Sequence, residues 1–253
     1  MSSVDQFESV FKAAAKTIYV YDKPSIGRVL LATDLGEAEA ALYQQKVRDY
    51  LGQVLPETET EWSLVGKDDF ESVKDLLDRV EENRPDLVVT YRNLHSEAWR
   101  WPYSLGEYLE VLTQVTTTPV LVLPHPERED AASLVSDPPQ TVMAVSGHLC
   151  GEGSLIGYSS AFTPKGGKLM LSHVEDDVTL DRYLDAIDKI PEIDSEVARE
   201  SILSRLLKDA KDFSVSARDA LGEAGLGIEV ECLAKVGHRL EDYRKLIEEG
   251  QGD

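Results

Sequence analysis

The sequence predicts an α/β protein with two units, each a parallel sheet flanked by helices. Three observations carry this. Short, continuous apolar runs such as Val29-Leu-Leu-Ala32, Leu87-Val-Val89 and Val120-Leu-Val-Leu123 have strand length but no polar alternation, which suits strands buried on both faces. Segments of helical period separate them, and strands alternating with helices imply right-handed crossovers. After Asp137-Pro138-Pro139 the same grammar begins again, so a second unit follows the first.

Taken in order, Val4, Phe7, Val10 and Phe11 at helical spacing predict a leading helix over 4–16, and Thr17–Tyr21 predicts a short strand ended by Lys23-Pro24. Arg28–Thr33 is the first buried strand. Tyr43, Val47, Tyr50 and Val54 mark one face of a helix that starts near Glu37, and Thr60–Val65 is extended. Phe70, Val73, Leu77 and Val80 predict a helix with Asp68 and Asp69 as caps. Asp86–Thr90 is a strand, Leu105, Leu109, Leu112 and Val115 a helix stripe, and Thr118–Pro124 a strand closed by proline. In the second half Thr141–Val145, Lys168–Val174 and Gly227–Cys232 are strands. Leu203, Leu206, Ala210, Phe213, Ala217 and Ala220 mark a long amphipathic helix, and Leu240, Tyr243 and Ile247 a last one.

Setting Asp253 against Asp86 places Ile247 on Val80, Tyr243 on Leu76 and Leu240 on Val73. The first copy continues beyond Asp86 into a strand, a helix and a strand, which the second copy lacks. The boundaries that follow are 1–126 for the first domain, 127–139 for a linker and 140–253 for a second domain that stops short. The first domain is itself reduced. Its helix ending near Val54 runs directly towards Thr60–Val65, so one strand–helix pair is missing, and Thr17–Tyr21 is a candidate to fill the vacant place.

The chain has 253 residues, with 47 acidic and 26 basic, a net charge of −21, and 42% apolar residues that suffice for a core. The charge is shared by both halves, so it is no terminal tail. It excludes a nucleic-acid or anionic-membrane partner, since phosphates are repelled rather than gathered. A solvated, soluble surface accounts for the acidity, and a halophilic origin gives the same pattern. Two cysteines, Cys150 and Cys232, make no disulfide framework and fit a reducing compartment. The opening MSSVDQFESVF has no basic-then-apolar layout, and no apolar run spans a bilayer, so the expectation is a cytoplasmic protein.

At this point the chain resembles the tandem universal stress proteins. Val29-Leu-Leu-Ala-Thr-Asp34 is similar to the family's first strand with its terminal aspartate. Asp86-Leu-Val-Val followed by Thr118-Pro-Val-Leu-Val resembles the last two strands of the domain. Lys168–Val174 resembles the second strand of the second unit, and Gly227-Ile-Glu-Val-Glu with Val236-Gly237 resembles the third strand and its turn. The likeness covers about residues 26–124 and 140–253. It implies Rossmann-like five-stranded parallel sheets and, in many members, ATP bound at the carboxyl ends of the strands.

The resemblance implies that Asp34 lies on the adenine side of such a site, with Val65 and Gly106 around it. In ATP-binding members two glycines three apart, then Gly-Ser or Gly-Thr, bring backbone N–H groups to the phosphates, because only glycine permits so close an approach. Here Tyr91 stands at the first glycine, followed by Arg92, Asn93 and Leu94. The second glycine is absent, Gly106 remains, and Glu107 replaces the hydroxyl residue. A carboxylate beside a triphosphate repels it, so the first unit is expected not to bind ATP in the family manner. Arg92 with Arg100 could attract an anion, or they could be surface salt-bridge partners. In the second unit Ser146 stands at the aspartate position.

Gly151-Glu-Gly-Ser-Leu-Ile-Gly157 follows a strand, but its last glycine is one residue too late for a dinucleotide loop, so it reads as a loop and helix start. His95, His125, His148, His173 and His238 share no metal spacing. His173 reads as a structural residue, and His148 with Cys150 lacks a second ligand pair. Ser146 and Ser154 have no nucleophile-elbow pattern. The pairs Asp68-Asp69, Glu81-Glu82 and Asp176-Asp177 read as caps and solvated faces. Trp99, Trp101 and Tyr103 pack over the sheet end or stack on a ligand.

The expected function is therefore that of a non-enzymatic stress-response regulator that acts through protein partners, with no catalytic group, no metal and no required cofactor. The resemblance implies a homodimer through Pro119, Val120, Leu121 and Val122, the last strand of the first unit. The alternative is an adenine-nucleotide sensor, for ATP or AMP, that uses a modified site at Asp34, Val65, Arg92 and Gly106.

Overall fold

In a computed structural model, residues 18–55, 60–129, 131, 138–146, 153–189 and 195–250 are described. They fall into two compact α/β units. One is Ser25–Pro138; the other starts at Pro139 and includes the described residues before Ser25.

In the first unit, β1 (Arg28–Ala32) is buried beyond its first residue. Gly36 leads into α1 (Glu37–Val54), which buries Tyr43, Val47, Tyr50 and Val54 as its stripe predicts. After β2 (Glu61–Val65) and a short turn comes α2 (Val73–Asn83). Its cap is Ser72, not Asp68 or Asp69: the Ser72 side chain accepts the Asp75 N–H, and the Asp75 carboxylate accepts the Ser72 N–H at 3.0 Å. Asp69 instead closes the preceding turn by accepting the Gly66 N–H at 2.7 Å. β3 (Leu87–Tyr91) is buried throughout, and α3 (Glu107–Val115) buries Leu109 and Leu112 but leaves Val115 exposed, while Leu105, predicted on its stripe, lies before the helix and is exposed. β4 (Val120–Leu123) completes a parallel sheet of order β2-β1-β3-β4. The chain leaves β1 to one side and returns to the other. That reversal opens a crevice at the carboxyl ends of β1 and β3, where ligands of open α/β sheets bind.

The second unit contains β5 (Thr141–Val145), α4 (Gly153–Ala161), β6 (Lys168–Asp176), α5 (Asp177–Ile187), α6 (Ser195–Glu223), β7 (Glu229–Gly237) and α7 (Arg239–Gly250). Its parallel sheet runs β5-β6-β7. β7 begins later than expected and runs through Val236-Gly237, read from sequence as a turn, because these residues pair with Glu175 and Asp176 of the long β6. Cross-strand pairing overrides the local turn preference of glycine there. The α7 stripe is only partly used, with Leu240 exposed; Tyr243 uses its hydroxyl to accept the Val174 N–H at 3.0 Å.

The expectation for Thr17–Tyr21 is overturned over its described part. Residues 18–24 form no strand, and Tyr19 sits in the core of the second unit with Ile156, Leu171, Phe213 and Ala217. Its ring meets Phe213 edge-on, with centroids 6.1 Å apart, and its N–H donates to Ser216 Oγ at 3.0 Å. The phenol is pushed up to about 12, chiefly by burial. Gly157 makes room for this segment, since a Cβ there would lie 3.1 Å from the Asp22 carbonyl oxygen. The glycine in Gly153-Ser-Leu-Ile-Gly157 thus serves packing within α4. The helix predicted over 4–16 lies outside the described residues. No helix among the described residues is long and apolar enough to cross a membrane.

Candidate functional site

The crevice of the first unit is built around Asp34, immediately beyond β1. Tyr91, the last residue of β3, is wholly buried, and its hydroxyl reaches across to Asp34. It donates to Asp34 Oδ1 and accepts the Asp34 N–H at 3.1 Å. The phenol's single hydrogen is thereby committed, so the Thr33 hydroxyl at 2.7 Å is the donor in their contact. Thr33 Oγ1 accepts the Leu35 N–H in turn, at 3.2 Å. Burial, then the bond to Asp34, raises the Tyr91 pKa far above its ordinary value, so the phenol stays protonated. The second carboxylate oxygen, Asp34 Oδ2, accepts the His95 N–H at 2.6 Å.

The loop after β3 turns through left-handed residues that are not glycine. Asn93 and His95 both adopt positive φ, 62° and 57°. Asn93 donates its N–H to the Leu105 carbonyl at 2.9 Å, and its side chain exchanges bonds with Ser104 through both the hydroxyl and the carbonyl. Gly106, at φ 83°, permits this crossing: an added Cβ would lie 2.6 Å from Asn93 Cα. Arg92 holds the far side of the loop, donating to the carbonyls of Pro102 (2.8 Å), Ser104 (3.1 Å) and Trp99 (3.3 Å). Aromatic contacts fill the remaining space. His125 stacks on Trp99 with centroids 4.6 Å apart and meets the Tyr91 ring edge-on at 4.7 Å, while His95 packs against Phe70 and Tyr108.

All four residues read as nucleotide contacts thus meet the chain's own atoms. Asp34 and Val65 lie at the ends of adjacent strands, joined by the Thr33 N–H donating to the Val65 carbonyl at 2.9 Å. Arg92 points into its own loop, and Gly106 faces the Asn93 backbone. The aromatic group does not act together: Trp99 packs, whereas Trp101 and Tyr103 are exposed. On β4, Val120 and Leu121 are half-buried, Val122 is 41% exposed, and the described residues pair this strand only with β3.

In the second unit Ser146 follows β5, and the loop beyond it, with His148 and Cys150, lies outside the described residues. His173 is buried in β6 beside Glu175, its Nε2 3.2 Å from the carboxylate, in line with a structural role. Asp176, Asp177 and His238 bring ligand-type atoms within 4.8 Å of one another at the ends of β6 and β7. Asp176 and Asp177 read from sequence as a solvated pair; the distance of His238 along the chain hides the grouping. Cys232 donates to the Ser214 carbonyl, and burial raises its thiol pKa, leaving a poor nucleophile.

Sequence reasoning missed His95 and His125. His95 acts through its backbone N–H, which every residue but proline carries, so its identity held no signal. His125 follows Pro124 at the end of β4, a position from which parallel pairing delivers side chains to the crevice, and that geometry was the available clue.

The first unit is therefore a doubly wound, Rossmann-like α/β domain with an aspartate at its switch point and a loop that closes on it. Comparison with known proteins finds no matching family model, no matching curated protein and no matching solved structure.

Proposed function

We propose that the protein is a non-enzymatic regulator of the universal stress type that acts through protein partners and whose crevice does not take up ATP. One observation carries this reading: both carboxylate oxygens of Asp34 are engaged by the chain, one by the Tyr91 hydroxyl and one by the His95 N–H. An incoming adenine or ribose must displace a buried phenol whose bonds to Thr33 and Asp34 then go unmet, a cost of about 1–3 kcal/mol for each buried polar group left unsatisfied. Glu107 in the first turn of α3 places a negative charge where a phosphate needs a helix N-terminus.

The exposed edge of β4, through Pro119, Val120, Leu121 and Val122, suits association of two copies of the chain, since an unpaired strand offers ready hydrogen-bonding groups. Calorimetric titration with ATP, AMP and cyclic AMP tests the proposal. No saturable heat is the expected outcome. Micromolar binding that Asp34→Ala abolishes would replace it with the nucleotide-sensor reading.

A further inference from the structure

In the second unit β6 and β7 pair in parallel along their whole length, ending with Asp176 opposite Gly237. Both strands therefore run out at the same carboxyl edge, where open α/β sheets hold their ligands. The next residues are Asp177, which opens α5, and His238. This register gathers three side chains of metal-ligand type. Asp176, Asp177 and His238 each bring one ligand atom within 4.8 Å of the other two.

The spacing suits a shared ion better than a hydrogen bond. His238 Nδ1 stands 3.5 Å from Asp177 Oδ1. An N–H···O bond is made at about 2.7–3.2 Å, and the buried Asp177 Oδ1 has no hydrogen-bond partner. Zinc bonds imidazole nitrogen and carboxylate oxygen at about 2.0–2.2 Å, so two of its tetrahedral ligands lie about 3.3–3.6 Å apart. A buried oxygen without a bond is costly, and a cation between it and the imidazole relieves that cost. A nearby carboxylate is arranged otherwise: Asp242 meets Lys235 at 2.8 Å, the distance of a closed ion pair. The His238 side chain is 61% exposed, which leaves an ion a path inward and water the room to complete its coordination.

We infer that Asp176, Asp177 and His238 bind a divalent transition-metal ion, zinc fitting best. One imidazole and two carboxylates make a mixed donor set that favours zinc and disfavours magnesium and calcium, which take oxygen ligands. The inference goes beyond the proposed regulator, since it gives the second unit a site that uses no residue of the Asp34 crevice.

Calorimetric titration of the full chain with zinc tests it, on protein without an affinity tag and stripped of metal by chelation. Saturable binding of one zinc per chain is expected. An Asp177→Asn, His238→Gln double variant should weaken it by more than the roughly tenfold that loss of even an outer-shell partner costs. Nitrogen NMR of the unmodified chain reads the site directly, because the His238 imidazole signal should move as zinc is added. Absence of saturable binding overturns the inference, as does equal binding by the double variant or a His238 signal that stays in place. Displacement of zinc by excess magnesium also overturns it, since that marks an acidic surface gathering any divalent ion. Asp34→Ala leaves zinc binding intact; adenine-nucleotide binding that requires Asp34 contradicts the proposed function instead, so the two failures are distinguishable.

Discussion

The two units start from the same strand–helix grammar and end in different places. The first reverses its strand order at β1 and so gains a crevice at its carboxyl edge. The second runs β5-β6-β7 without a reversal among its described strands. The first unit fills its crevice with its own polar groups, Tyr91 on Asp34 and Arg92 on the loop carbonyls. The second instead completes its apolar core with Tyr19, from a segment far away in sequence. The comparison teaches that sheet topology makes a site available, while one or two side chains decide whether it stays open.

The largest expected effect probes the borrowed core. Tyr19→Ala removes a buried ring from contact with Phe213, Ile156 and Leu171, and costs about 3–5 kcal/mol, the range for large aromatic truncations. Hydrogen exchange should show loss of protection in β6 and α6, with β1 and β3 unaffected. Equal loss in both sheets would break the distinction between the units.

Next comes the loop that closes the first crevice. Gly106→Ala forces a side chain into φ 83° and against the Asn93 backbone, a strain of about 1–3 kcal/mol before any steric term. Tyr91→Phe deprives Thr33 and Asp34 of a partner and costs about 1–3 kcal/mol. Chemical denaturation followed by the exchange of β1 amides checks both.

A smaller effect is expected from pH. Burial lowers the His125 pKa below its ordinary 6.5, so the unfolded chain binds its proton more readily than the folded one. Stability of the first unit therefore falls as pH drops from about 6.5 through the folded value, and is unaffected by this group above that window. Carboxylates held low by hydrogen bonds, such as Asp75, act only near and below their ordinary 3.8. His125→Gln should flatten the upper part of the profile; an unchanged slope between pH 6.5 and 5 would refute the assignment. The smallest effect is the loss of a helix cap, with Ser72→Ala costing about 1 kcal/mol.

Most of the fold was legible in the sequence, because strands such as Leu87–Val89 and stripes such as Tyr43, Val47, Tyr50 and Val54 are local patterns set by burial. The place of Tyr19 was not, since a Thr-Ile-Tyr-Val-Tyr run looks like a strand wherever it packs, and only long-range contact with Phe213 decides. The Asp68-Asp69 cap lost to Ser72 because serine followed three residues later by Asp75 forms a reciprocal pair. At the candidate site, Tyr91 was visible in the sequence as a bulky residue at the end of a strand, but the bond from its hydroxyl to Asp34 depends on β3 lying beside β1.

The most direct measurement is the exchange rate of the His95 amide, whose hydrogen is held by Asp34 Oδ2. With ATP, AMP or cyclic AMP added in excess, the account predicts a protected amide whose rate does not change. A rate that shifts on addition of any of the three, and stays constant in Asp34→Ala, would show that the crevice opens to a nucleotide and would contradict it.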